Sequence, residues 1–190
     1  MNEGVTYRNA ASESRNLRVD ESGVLRWNDA QFPCALGRDG IRRAKIEGDG
    51  ATPLGEFPLR RVLYRPDRLA PLSPRDGWCN DAEHPLYNHR VRQPVHASCE
   101  LLWRTDSLYD VIVVLGHNDN PVVPGAGSAV FLHISGEDFT PTNGGVALRL
   151  ADMLTILGEC TFARGSPLKH PSDRGRPKAL GLPRAEDGAA

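Results

Sequence analysis

The chain has 190 residues, of which 39% are hydrophobic and 25% are charged, and its 23 Lys and Arg nearly balance its 24 Asp and Glu. This length and composition fit a single globular domain, and the balanced charge excludes the strongly basic surface typical of nucleic-acid binding. No stretch approaches the roughly 18 consecutive apolar residues of a membrane span. We therefore predict no nucleic-acid partner and no membrane helix, and the oligomeric state stays open.

Both ends of the chain have the composition of unstructured segments. Residues 1–16 are mostly small or polar and lack the apolar core of a secretory signal peptide, so we predict a disordered N-terminal segment without an export signal. Residues 165–190 are rich in Pro, Gly, Arg and Lys and contain few large apolar side chains, which predicts a disordered basic tail. The folded domain is then expected to span residues 17–164.

The domain between these ends is predicted to be mostly strand. Three short runs of alternating apolar and polar residues, separated by turn pairs, predict a meander; they cover residues 17–19, 24–27 and 32–36. Longer strands are predicted at 56–64 and 109–115, and the second is so continuously apolar that both of its faces should be buried. A further strand, 127–134, follows a break rich in Gly and Pro and carries His133 near its end.

One helix is predicted after Gly145. Apolar residues recur there at steps of three and four, namely Ala147, Leu150, Ala151, Leu154 and Leu157. Such a helix would start near Asn143, whose side chain can cap the first turn. The N–H groups of Gly144, Gly145 and Val146, with the positive end of the helix dipole, would then stabilise an anion.

Two neighbouring segments contain the candidate catalytic residues. Ser128-Ala-Val-Phe-Leu-His133 is followed by Thr142-Asn-Gly-Gly-Val-Ala-Leu148, with Gly145 twelve positions after His133. Together they resemble the active site of the L,D-transpeptidase (YkuD-like) catalytic domain, in its proteobacterial branch. There a strand ends in Phe-Leu-His and a Thr-x-Gly-Cys-Val-Ala-Leu turn supplies the nucleophile. The resemblance implies that His133 is the general base, that Gly144 to Val146 supply the oxyanion donors, and that Gly145 occupies the nucleophile position.

The resemblance covers roughly residues 17–160, and Thr52-Pro-Leu-Gly-Glu-Phe57 is its most recognisable segment outside the active site. It implies a mainly β, β-sandwich-like domain that acts without a cofactor on peptidoglycan stem peptides, in the periplasm or cell envelope, with a role in the cell wall and cell shape. The candidate substrate contacts are loop residues with aromatic or amide side chains, namely Trp78, Tyr87, Asn88, Trp103, Asn118 and Asn143. For each of them the alternative is a role in packing or a place on the solvated surface. Lys45 and Arg92 are candidate partners for substrate carboxylates.

Other chemistries fit the sequence less well. His84 and His89 belong to no zinc-binding pattern, so we predict no metal site. Ser128 lacks the flanking glycines of a serine nucleophile elbow, and Gly125-Ala-Gly127 precedes a strand where a dinucleotide loop would precede a helix. The four cysteines match no disulfide or metal framework and are interpreted as free thiols; they are Cys34, Cys79, Cys99 and Cys160.

Three functional hypotheses remain open at this point. The chain is an L,D-transpeptidase that is inactive because Gly145 replaces the cysteine, or a natural pseudoenzyme that binds stem peptides or a partner protein, or an enzyme with another nucleophile such as Cys79. For His133, the alternative to a general base is a core histidine satisfied by backbone hydrogen bonds.

Overall fold

The computed structural model describes residues 5–8, 17–65 and 76–159, and this part of the chain is mainly β with a single helix. The strands are β1 (Val5–Arg8), β2 (Leu17–Val19), β3 (Val24–Trp27), β4 (Ala30–Pro33), β5 (Ile41–Arg42), β6 (Thr52–Pro53), β7 (Glu56–Tyr64), β8 (Asp76–Cys79), β9 (Arg90–Arg92), β10 (Cys99–Leu101), β11 (Val111–Leu115), β12 (Phe131–Ile134) and β13 (Val146–Leu148). The helix is α1 (Leu150–Glu159). The predicted fold class, mainly β with a helix after Gly145, is confirmed. The described residues include no helix of the length and apolarity needed to cross a membrane.

An eight-stranded sheet in the order β13-β12-β11-β7-β1-β2-β3-β4 forms the body of the domain. Just after β4, Ala35 bonds to Ala147 of β13 in both directions, with N···O distances of 2.9 and 3.0 Å. The two ends of the sheet therefore meet, and the sheet curls around its core. Two smaller sheets, β10-β8-β9 and β5-β6, complete the described strands.

The core follows the alternation of the strands. Leu17 and Val19 of β2, with Leu25 and Trp27 of β3, are buried, whereas the intervening Arg18 and Arg26 are exposed. This is the period-two pattern of strands with one buried face.

Strand β11 is buried on both faces, as predicted from its apolar sequence. Its residues Val111, Val113 and Leu115 pack in the main core with β2, β3 and α1. Ile112 and Val114 face a second cluster that includes Trp78, Leu102 and Phe131. One strand thus separates two apolar clusters.

Three predicted strands have different bounds. The strand predicted at 109–115 is β11, which begins only at Val111. The strand predicted at 32–36 is β4, which begins at Ala30 because the two-residue turn at Asn28-Asp29, with φ 52° at Asn28, pairs Trp27 directly with Ala30. The strand predicted at 127–134 is reduced to β12. Positive φ angles at Gly127 and Ala129 bend the backbone just before it.

The predicted start of the helix is wrong. Val146–Leu148 form β13, which is fully buried and pairs in parallel with β12, and α1 begins only at Leu150. The helix buries Met153 and Ile156, while Leu150 and Leu154 of the predicted stripe are exposed. Sheet pairing on both sides of Ala147 outweighs the helical periodicity of this segment, because tertiary contacts override local propensity.

The predicted N-terminal boundary also needs correction. Residues 5–8 lie inside the segment expected to be disordered, yet they form β1, which pairs with β2 and β7. Val-Thr-Tyr at 5–7 is rich in good strand formers, which explains the pairing. The predicted tail at 165–190 lies outside the described residues.

We predict that Ile156→Ala lowers the free energy of unfolding by about 2–4 kcal/mol, the usual cost of a large core side chain. The matched change Leu154→Ala, two positions away in α1 and 46% exposed, should cost less than about 1 kcal/mol. Urea-induced unfolding measures both values. A larger loss for Leu154 than for Ile156 would contradict the observed helix orientation.

Candidate active site

His133 faces a cavity of about 590 Å³ because side chains alternate along β12. Leu132 and Ile134 pack into the main core, so Phe131 and His133 point the opposite way and line the cavity wall. Gly145 and Asn143 lie on the same wall. The pairing of β12 with β13 therefore brings together the two segments that the sequence singled out.

The imidazole of His133 is held in one tautomer. The ring is 8% exposed, and its Nδ1 lies 3.0 Å from the carbonyl oxygen of Ile134. A carbonyl can only accept, so Nδ1 carries the proton and Nε2 presents its lone pair. Burial lowers the pKa of His133 to about 4, although the carbonyls of Ile134 and Leu108 oppose this shift. The ring is therefore a neutral base at neutral pH.

Gly145 lies directly beside this base. A Cβ atom placed on Gly145 would be 3.3 Å from His133 Nε2 and 3.1 Å from its Cδ2. The same atom would be only 2.8 Å from the carbonyl oxygen of Phe131. Any side chain at position 145 would contact the imidazole, and even a methyl group there requires a small backbone shift.

Two threonines fix the turn before β13. The hydroxyl of Thr142 donates to the carbonyl of Gly145 at 2.7 Å, and the hydroxyl of Thr52 approaches the same oxygen at 3.2 Å. Gly144 has φ 125°, and a Cβ there would lie 2.8 Å from the carbonyl oxygen of Ala51, so the turn requires glycine. Sequence reasoning assigned neither threonine a role, although Thr142 and Thr52 each open a segment that carries the resemblance.

The predicted anion site at a helix N-terminus is wrong. Residue 145 precedes a strand, and α1 starts five positions later. The N–H of Gly144 donates to Thr142 Oγ1 at 3.1 Å, so it does not point freely into the cavity. Burial of the imidazole, and not a helix dipole, sets the electrostatics beside Gly145.

Tyr109 forms the cavity wall on the other side of His133, and sequence reasoning missed it. Its ring packs edge-on against His133 at a centroid distance of 5.3 Å. Its hydroxyl donates to Glu100 at 3.0 Å, and burial, reinforced by Glu100, raises the pKa of Tyr109. Arg104 lies over the ring at 5.1 Å. The wall is therefore a neutral phenol held by a carboxylate and a guanidinium.

The predicted substrate contacts divide into two groups. Asn143 lies on the cavity wall, where its side-chain oxygen accepts from Arg38. The other five do not belong to the described cavity lining; they are Trp78, Tyr87, Asn88, Trp103 and Asn118. Of the two predicted carboxylate partners, Lys45 lines the cavity but is paired with Asp49, and Arg92 is exposed elsewhere.

Of the five predicted contacts outside the cavity lining, most are hydrogen-bonded to other parts of the domain. Trp78 donates to Asn88 at 2.9 Å, and the Asn88 amide donates to the carbonyls of His117 and Asn118. Tyr87 donates to Glu47 at 2.5 Å and accepts from the N–H of Gly127. Burial and Glu47 together raise the pKa of Tyr87. These bonds position the segment that leads into β12.

We predict a specific pH dependence of stability from His133. Its folded pKa lies near 4, below the unfolded value of 6.5, so the unfolded chain takes up the proton first. Stability should fall as pH drops below 6.5 and level off below about 4, by roughly 3 kcal/mol relative to His133→Gln. Unfolding in urea at several pH values, on both proteins, measures the difference. Parallel pH profiles would contradict a buried, neutral imidazole.

Comparison with known proteins agrees with this geometry. Residues 11–173 match the model of the L,D-transpeptidase catalytic domain, YkuD, a range that includes the cavity, His133 and Gly145. No curated protein and no solved structure matches the chain. The chain belongs to the L,D-transpeptidase catalytic-domain family, whose members act on peptidoglycan peptides and are generally associated with the cell envelope.

Proposed function

We propose that this chain binds peptidoglycan stem peptides in the cavity beside His133 and, with glycine at position 145, does not transfer an acyl group. The observation that carries the proposal is the closeness of position 145 to His133 Nε2. A basic nitrogen is in place there, but glycine has no thiol or hydroxyl from which it could take a proton. None of the cysteines in the described residues lines the cavity. The proposed location is the periplasm or cell envelope, in keeping with the family.

The same geometry explains what a cysteine at this position would do. Its thiol would lie against Nε2, which would take the proton while the sulfur attacks the carbonyl of an acyl-donor peptide. The imidazolium would then protonate the leaving amine, and an acceptor amine would resolve the thioester. We propose Gly144 and Val146 as oxyanion donors, after Gly144 exchanges its bond to Thr142. Such donors are typically worth about 2.7–4 kcal/mol each.

The cavity offers polar atoms suited to a peptide. Asn80 and Ser135 line it, and their side-chain oxygens are buried without a hydrogen-bond partner among the described residues. Buried polar atoms without partners are rare, and a ligand is one explanation for them. A stem peptide supplies amide N–H groups and carboxylates, and Arg38 and Arg104 lie on the same walls. This complementarity supports peptide binding.

A natural pseudoenzyme that binds stem peptides or a partner protein is the second candidate, and one distance favours it. The carbonyl of Phe131 would lie 2.8 Å from a Cβ at position 145, closer than real Cβ contacts. The turn is thus fitted to glycine. The alternative nucleophile Cys79 gains no support, because it is fully buried in β8 and outside the cavity lining.

The first test is binding without chemistry. A tetrapeptide stem peptide should bind the protein in calorimetry, and mass spectrometry should find no acyl adduct. Asn80→Ala and Ser135→Ala should each weaken binding by about 3–10-fold, as expected for one lost hydrogen bond. Thr155→Ala, on the exposed surface of α1, should leave the affinity unchanged. Absence of binding would contradict the proposal, and an adduct on Cys79 would replace it with the third hypothesis.

The second test introduces the thiol. Gly145→Cys should form an acyl adduct with the same peptide, and adding His133→Ala should slow acylation by about 10²–10⁴-fold. The new thiol should also react with iodoacetamide faster than Cys34, since burial raises the pKa of Cys34 to about 12.

Gly145→Ala is the matched steric control for that experiment. Both substitutions should lower stability by a similar amount, about 1–3 kcal/mol, because each places a Cβ against the Phe131 carbonyl. A folded Gly145→Cys protein that binds the peptide but forms no adduct would favour the natural pseudoenzyme.

A further inference from the structure

Cys79 and Cys99 face each other across two antiparallel strands. Cys79 ends β8 and Cys99 begins β10, and the register pairs them directly. Both are free thiols in this structure.

The position of Cys79 and Cys99 in the antiparallel β8–β10 ladder suits a disulfide bond. Asn80 donates from its N–H to the carbonyl of Ser98 at 3.1 Å, so the neighbouring pair, Asn80 and Ser98, is a hydrogen-bonded one. Hydrogen-bonded and non-hydrogen-bonded pairs alternate along an antiparallel ladder, so Cys79 and Cys99 form a non-hydrogen-bonded pair, in which the side chains are closest. The Cα separation of such a pair, about 4.5 Å, lies within the range that a disulfide spans.

From this juxtaposition we infer that Cys79 and Cys99 form a redox-active dithiol, which a small-molecule or protein disulfide converts to an intramolecular disulfide. Cys99 is partly exposed and Cys79 is fully buried, so Cys99 is the entry point.

The exchange proceeds in two balanced steps. The Cys99 thiolate attacks the external disulfide RSSR, forms a mixed disulfide and releases one RSH, which takes the proton from Cys99. The Cys79 thiolate then attacks Cys99 Sγ, forms the intramolecular bond and releases the second RSH. Two protein thiols are oxidised by two electrons, and RSSR is reduced to two RSH.

The pair adjoins the cavity through its sequence neighbours. Asn80 follows Cys79, Glu100 follows Cys99, and both line the cavity. Glu100 accepts the hydroxyl of Tyr109, whose ring packs on His133. A disulfide would fix the β8–β10 register and with it this wall of the site.

The experiment uses the full chain, reduced and then incubated with oxidised glutathione at mildly alkaline pH without denaturant. Peptide mass spectrometry under non-reducing conditions should find the Cys79 and Cys99 peptides joined, with the loss of two hydrogens. The disulfide closes a loop of about 20 residues, so the Tm should rise by about 5–10 °C and return on reduction.

Matched variants distinguish the pair from the other thiols. Cys99→Ser should abolish both the cross-link and the rise in Tm, whereas Cys34→Ala with Cys160→Ser should retain both. Circular dichroism before oxidation checks that each variant is folded. A persistent glutathione adduct on Cys99, a bond to Cys34 or Cys160, or no loss of hydrogen would each overturn the inference. These readouts need no peptide ligand, so they stand apart from the proposed binding function.

Discussion

The parallel pairing of β13 with β12 is the interaction on which the site depends. It places residue 145 beside the imidazole of His133, although the two are separated by a long loop in the chain. The pairing is reinforced on its other edge, where Ala147 bonds to Ala35, and by Thr52 and Thr142, which hold the carbonyl of Gly145. Backbone hydrogen bonds on both edges of one short strand thus set the geometry of position 145 beside His133.

Burial sets the chemistry of this position. The imidazole loses water on most of its surface, and that loss favours its neutral form more strongly than the nearby carbonyls favour its charged form. Tyr109 packs edge-on against the ring, and Glu100 and Arg104 in turn contact Tyr109. A neutral imidazole therefore lies beside position 145, which has no side chain. The proposed binding site would differ from a catalytic one by a few atoms.

Much of the fold could be predicted from periodicity and turn residues. The bounds of β2, β3 and β7 were predicted, as was the double-sided burial of β11, because each has a clear alternating or continuous apolar pattern. The prediction for the segment after Gly145 failed because Val146-Ala-Leu148 is apolar, and such a run fits either a strand or the first turn of a helix. Only its partners, β12 and Ala35, decide between the two. The roles of Tyr109 and Thr52 were missed for a similar reason: they come from contacts across the fold, with His133 and Gly145, and no local spacing reveals them.

The closure of the sheet has a consequence for how the molecule forms. Ala35 and Ala147 are more than a hundred residues apart in the sequence, and their bridge is what joins the two ends of the sheet. Contacts of such long range carry a high loop-closure cost and slow the folding of β proteins. The β2-β3-β4 hairpins are local and should form early by the same reasoning, whereas position 145 should reach its place beside His133 only when β13 docks. A chain emerging from the ribosome is therefore expected to carry an open sheet, without the bridge between Ala35 and Ala147, until nearly all of the described domain has been made.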